Sequence, residues 1–258
     1  MAAIGICTDF VNLPEVARLG FDYVELSLVA VAALGEAEFA ELADWVDAAG
    51  IHVYAFRDML PGNLPVTGPG VSATALHDYL KRAFGRARRL GAKVIALDAA
   101  QARGVSRDAD FPFAWRQLGN FLRLCQGHAR ECGLVVAVEP LRKTECNLLN
   151  LVSEATLLSG LLQLGNVGVA ANTGAMAMAA EPVTALSQCG NSLCHVHVEH
   201  PLTRRMPREG DGEDWFKLMR VLKRRGYAGG VSVCCNRTAD FIADARSALV
   251  CLGQAQRN

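Results

Sequence analysis

Eight short apolar runs recur along the chain, each followed by a segment with helical spacing, and no linker or low-complexity stretch interrupts them. The runs cover residues 4–8, 23–28, 51–56, 93–98, 134–140, 167–172, 194–199 and 230–236. Their length and apolar character suit parallel strands buried on both faces. Between them, Phe39, Leu42, Ala43 and Val46 form one stripe, Leu118, Leu122, Cys125 and Ala129 another, and Ile242, Ala245, Leu249 and Leu252 a third. Each repeats at the i, i+3/i+4, i+7 spacing of a helix that buries one side. Gly20, Gly50, Gly91, Gly133 and Gly226 precede strand runs, where a left-handed residue ends a helix and opens a short loop. Eight such units in 258 residues predict one (β/α)₈ TIM barrel spanning residues 1–258. An open doubly wound sheet would carry a glycine-rich phosphate loop after its first strand. This chain has Thr8-Asp9-Phe10-Val11-Asn12 there.

Strand side chains alternate, so the valines of a run mark its helix-facing parity and the other parity points into the barrel. By this rule His195, His197 and Glu199 face inward opposite Val196 and Val198, and Ala137 and Glu139 face inward opposite Val136 and Val138. Asn172 follows from Val167 and Val169, and Ser232, Cys234 and Asn236 follow from Val231 and Val233. Glu25, Ser27 and Asp98 turn inward on the same logic. These polar groups gather at the carboxyl ends of the strands, where barrel enzymes build their sites. A buried charge must be paired or bound to something, and six inward polar or thiol strand ends point to a small-molecule site.

Charge and cysteine content narrow the class. Lys and Arg number 26, Asp and Glu 26, and the formal net charge is +0. A neutral chain lacks the electrostatic footprint for nucleic acid or anionic membrane. No run approaches the length of a membrane span and no leader pattern opens the chain, so a cytoplasmic location is expected. Nine cysteines without a C-x-x-C pair read as small buried residues in a reducing compartment.

Several segments, in order, resemble the xylose isomerase-like barrel superfamily, which includes ketose 3-epimerases and sugar-phosphate isomerases. They are Leu60-Pro61-Gly62 with Gly68-Pro69, Leu90-Gly91-Ala92-Lys93-Val94-Ile95, Val138-Glu139-Pro140-Leu141 with Thr144-Glu145-Cys146-Asn147, His195-Val196-His197, and Gly226-Tyr227. The resemblance implies a divalent ion (Mn²⁺, Mg²⁺ or Co²⁺) held by a Glu on strand five, an Asp on strand six, a His on strand seven and a Glu on strand eight. The two Glu residues would move a proton beside a carbonyl. Glu139 matches the first position and His197 the third, whereas Asn172 and Cys234 stand where the resemblance expects carboxylates. Three metal outcomes follow: no ion as isolated, zinc through Glu139, His197 and Cys234, or weak binding of the family-type ion. As the remaining carboxylate, Glu139 is the expected catalytic group; Cys234 could replace the missing one only with a lowered thiol pKa.

The resemblance also implies substrate contacts from Glu25, Glu145 and Arg204, and Arg103 in the fourth βα loop is a candidate for a hydroxyl or phosphate. Trp215 and Phe216 read as packing residues. The Pro/Gly-rich loop at 59–70 reads either as a lid or as an ordered surface loop. Two functions remain open: an isomerase or epimerase acting on a carbohydrate-like substrate, or a non-catalytic barrel that binds such a ligand or a protein partner. A DNA-repair endonuclease of the superfamily is disfavoured, because its three zinc ions need more His and acidic ligands. Members of the superfamily often self-associate through barrel helices, so a homo-oligomer stays open.

Overall fold

Each of the eight apolar runs forms a strand in a computed structural model that describes residues 1–258 apart from 107, 236, 237 and 258. The strands are β1 (Ala3–Cys7), β2 (Tyr23–Ser27), β3 (Val53–Arg57), β4 (Val94–Leu97), β5 (Val135–Val138), β6 (Val167–Asn172), β7 (Leu193–Val198) and β8 (Gly230–Val233). They pair in chain order and in parallel, and β1 closes on β8. This is the (β/α)₈ barrel that the alternation predicts. All five glycines read as helix stops have positive φ, from 64° to 91°.

Strand ends differ modestly from the sequence reading. β3 begins at Val53 because Ile51 and His52 complete the turn after Gly50, and it extends to Arg57, which pairs with Ser27. That shift places Arg57 on the inward parity. β8 ends at Val233, although the Cys234 amide still donates to the Val198 carbonyl at 2.9 Å. Asn236 lies outside the described residues.

Helices of ten or more residues cover the outside: Glu36–Ala49, Ala73–Arg89, Phe111–Cys132, Val152–Leu162, Trp215–Arg224 and Phe241–Arg257. Between β6 and β7 a 3₁₀ segment, Val183–Ser192, with a kink at Gly190, does the same work. Among the described residues no helix is long and apolar enough to cross a membrane. The 59–70 loop packs against the fourth βα unit. Met59 and Val66 are fully buried, the Val66 amide donates to the Ala102 carbonyl at 2.7 Å, and Gln117 bonds both the N–H and the C=O of Gly68.

Inside the barrel, side-chain size is unevenly distributed. β2, β7 and β8 supply Tyr23, Glu25, His195, His197 and Ser232, while β3 to β6 supply Ala55, Val94, Ala96, Ala137, Gly168 and Ala170 at the same depths. Tyr23 plugs the amino-terminal end, and small residues make the room. A Cβ on Gly5 would lie 2.2 Å from the Tyr23 ring, and one on Gly230 would lie 2.4 Å from its hydroxyl. The ring is walled in by backbone, so it cannot retreat as a surface side chain would. Gly5→Ala is therefore expected to lower unfolding free energy by about 2 kcal/mol through overpacking. Urea denaturation checks this, and an unchanged midpoint would count against the plug.

Candidate functional site

The inward positions of β2, β7 and β8 meet in one buried hydrogen-bonded chain. The Tyr23 hydroxyl donates to Ser232 Oγ at 2.8 Å, and Ser232 donates to Glu25 Oε2 at 2.5 Å. His195 Nε2 donates to the same oxygen at 2.8 Å. His197 then bridges two carboxylates, donating from Nε2 to Glu25 Oε1 at 2.9 Å and from Nδ1 to Glu139 Oε2 at 2.6 Å. Asn172 closes the series, with its Nδ2 donating to Glu139 Oε1 at 3.0 Å and its Oδ1 accepting from the Ala175 amide at 3.0 Å.

A ring with both nitrogens donating to carboxylates is an imidazolium. Burial opposes that charge, but Glu139 and Glu25 together hold the His197 pKa well above the usual histidine range. Burial also opposes the charge on Glu25, and His197 with His195 more than offsets it, holding that carboxyl well below its ordinary value. Glu139 is likewise lowered, against burial, by His197 and by the Asn172 amide.

Above this chain opens a cavity of about 330 Å³ at the carboxyl ends of the strands. Glu139, Asn172, His197 and Cys234 form its floor together with Asp98, and Arg57, Arg142, Glu145, Glu199 and Arg204 stand around it. Asp98 follows β4 and accepts the amides of Asp58 (3.0 Å) and Met59 (3.3 Å) while remaining open to the cavity. Burial, followed by the like charges of Asp58 and Glu139, pushes its carboxyl up to about 7. On the rim, Glu199 accepts from Arg142 at 2.7 Å and from Arg204 Nε at 3.2 Å, and Arg204 also pairs with Glu145. Gly174 leaves room for this cluster, since a Cβ there would lie 2.7 Å from both Arg142 and Glu199.

Glu139, Asn172, His197 and Cys234 therefore converge as strand parity predicts, and Glu145 and Arg204 join them at the rim. Two expected substrate contacts have other duties. Glu25 is 0% exposed and sits beneath the cavity, with both oxygens bonded inside the barrel. Arg103 is also 0% exposed; its guanidinium donates to the carbonyls of Leu97 (3.3 Å) and Glu139, tying the ends of β4 and β5 together. Cys234 does not have the lowered pKa that a base requires, because burial and the adjacent Cys7 thiol push it well up. Trp215 is packed, 5% exposed, with its indole N–H on Asp211. The sequence reading misses Arg57 and Arg142. Arg57 falls one residue past the run as drawn, and only the two-residue alternation with Ala55 signals it; Arg142 lies in a loop, where no periodicity applies.

A sequence profile of the xylose isomerase-like TIM barrel family matches residues 13–250. The chain belongs to this family. Among solved structures, it resembles D-psicose 3-epimerase from Clostridium cellulolyticum H10 with TM-score 0.86 and 18% identity, covering 98% of this chain and 99% of that one. It resembles 3-keto-D-glucoside 4-epimerase from E. coli with TM-score 0.84 and 17% identity, covering 98% and 100%. An AP endonuclease family 2 structure from Brucella melitensis gives TM-score 0.75 and 19% identity over 94% and 95%. At such identities the likeness establishes the fold. No curated protein matches the sequence.

The bridge makes a stability prediction with a sign. Raised His197 stabilises fully below the unfolded histidine pKa of about 6.5, and that contribution is lost as pH rises through its folded value. Lowered Glu25 and Glu139 stabilise above the unfolded carboxyl pKa of about 4.3, and their contribution is lost as pH falls. Glu25→Gln is expected to cost about 3 kcal/mol, most of it between those two values, because one partner of a buried charge set is removed. Denaturation of both proteins across pH checks this, and a cost independent of pH would contradict the charged bridge.

Proposed function

We propose that the barrel mouth binds a small carbohydrate-like substrate and catalyses its isomerisation or epimerisation, using Glu139 and Asp98 as the two proton-transferring carboxylates. The observation that carries this reading is the opposite displacement of those two groups on one cavity floor. Glu139 is held ionised by His197, whereas Asp98 is pushed up to about 7. Pairs of carboxyls driven apart in this way divide base and acid roles between them. In the proposed step Glu139 takes the proton from the carbon beside the substrate carbonyl, and protonated Asp98 donates to the developing enediol oxygen. The Arg142, Glu199, Arg204 and Glu145 cluster offers charged donors and acceptors for hydroxyls. The family's epimerase structures support the reaction class.

In this reading the family's hard divalent ion does not fit the residues present. The amide oxygen of Asn172 caps its own helix and its N–H₂ faces Glu139, so this neutral side chain brings no negative charge to a hard cation. Cys234 supplies sulfur where an oxygen would serve Mg²⁺ or Mn²⁺. The same substitutions favour the second reading, a barrel that binds such a ligand without turning it over.

Exchange of carbon-bound hydrogen with D₂O, followed by NMR over a panel of ketoses, separates the two. The proposal expects exchange that Mn²⁺ does not stimulate and that declines as pH rises through about 7, where Asp98 loses its proton. Asp98→Asn is expected to lower the rate by about 100-fold or more and to remove that alkaline limb. Saturable binding without exchange would establish the non-catalytic reading, and exchange strictly dependent on Mn²⁺ would restore the family-type ion.

A further inference from the structure

Three neighbouring strands bring sulfur and nitrogen donors to one point. Cys7 ends β1 and Cys234 follows β8, and the pairing of Ile6 with Val233 puts the two cysteines side by side. Both point inward, with Sγ atoms 2.8 Å apart, and neither is in a disulfide. His197, on β7, lies alongside Ser232 one level below. The donor atoms of Cys7, Cys234 and His197 all lie within 4.8 Å of one another.

We propose that Cys7, Cys234 and one ring nitrogen of His197 form a site for a soft divalent cation of the zinc class, with a fourth position open to the barrel mouth. Two thiolates and an imidazole are the donor set that zinc takes, and sulfur discriminates against Mg²⁺ and Mn²⁺. The set differs from the zinc ligands suggested by sequence, because Cys7 takes the place of Glu139. A second observation points the same way. Whichever nitrogen of His197 binds the ion, the other remains on a carboxylate, Glu139 or Glu25, which is the arrangement that orients metal-bound imidazoles. Cys234 and His197 line the cavity, so the open position faces the space where a substrate would sit. On binding, both thiols and the imidazolium release their protons to solvent. The released carboxylate stays beside the ion, and Arg57 lies close enough to both thiols to offset thiolate charge.

The site shares His197 with the bridge that holds Glu139 ionised, so the zinc-loaded barrel and the catalytic form proposed above are alternative states; the test of the site uses no sugar. The full chain, reduced and stripped with a chelator, is titrated with Co²⁺ as a spectroscopic stand-in for zinc. The expected result is a thiolate-to-cobalt charge-transfer band in the near ultraviolet and intense visible bands of tetrahedral cobalt. Both should saturate at one ion per chain and disappear when zinc is added. Cys7→Ser and Cys234→Ser are each expected to lose most of the charge-transfer intensity and to weaken zinc binding by about 100-fold. Cys132→Ser, on an outer helix, should leave both intact. The wild-type spectrum reads the ligands directly, so the test survives if a variant fails to fold. Failure of the reduced wild type to take up cobalt, a weak octahedral spectrum, or a band that persists in Cys7→Ser would overturn the proposal. So would conversion of Cys7 and Cys234 to a disulfide in a protein that binds no metal, which would mark them as a redox pair.

Discussion

The mouth of this barrel depends on one imidazole ring held between two carboxylates. His197 uses both nitrogens, one on Glu25 and one on Glu139, with no water in between. With Glu25 and Glu139 held below and His197 held above their ordinary values, the bridge carries an imidazolium between two carboxylates and leaves the trio with one net negative charge. Burial and the charges of Asp58 and Glu139 then disfavour a further anion on the cavity floor, so Asp98 is raised toward neutrality. The same bridge commits Glu139 to the ionised form. The ring thus holds Glu139 ionised, while burial, Asp58 and Glu139 hold the neighbouring Asp98 toward neutrality against the opposing pull of the same ring.

The rest of the fold keeps that ring in place. Glu25 is fixed from below by Ser232, whose hydroxyl is in turn oriented by Tyr23, and Tyr23 fits only because Gly5 and Gly230 lack a Cβ. Arg103 holds the backbone carbonyl of Glu139. Small inward residues on β3 to β6 leave the interior to the large polar side chains of β2, β7 and β8. The hydrogen bonds among these groups are buried, so breaking one leaves a polar group short of a partner away from water. The stability of the interior and the chemistry of the mouth therefore rest on the same side chains.

Much of this was legible in the sequence. Alternating valines on β5, β7 and β8 locate Glu139, His195, His197, Ser232 and Cys234 inside the barrel, because period-2 geometry leaves no other choice. The glycines before the strands mark the helix ends for an equally local reason. What the sequence could not supply is depth and pairing. Glu25 and Glu139 share an inward parity, yet one lies under the cavity and the other on its floor, and only the barrel's stagger decides between them. Arg103 reads as a mouth residue from its loop, but its side chain is fully buried on the carbonyls of Leu97 and Glu139. The adjacency of Cys7 and Cys234, 227 positions apart, appears only when β1 closes on β8.

The charge on His197 is the central claim, and ¹⁵N NMR of its ring in metal-stripped protein tests it most directly. The account predicts that both nitrogens carry protons at neutral pH, with imidazolium shifts that persist well above the ordinary histidine range. A neutral ring with one unprotonated nitrogen would contradict it, because that nitrogen would be free to ligate the family's divalent ion and Glu139 would lose the partner that keeps it ionised.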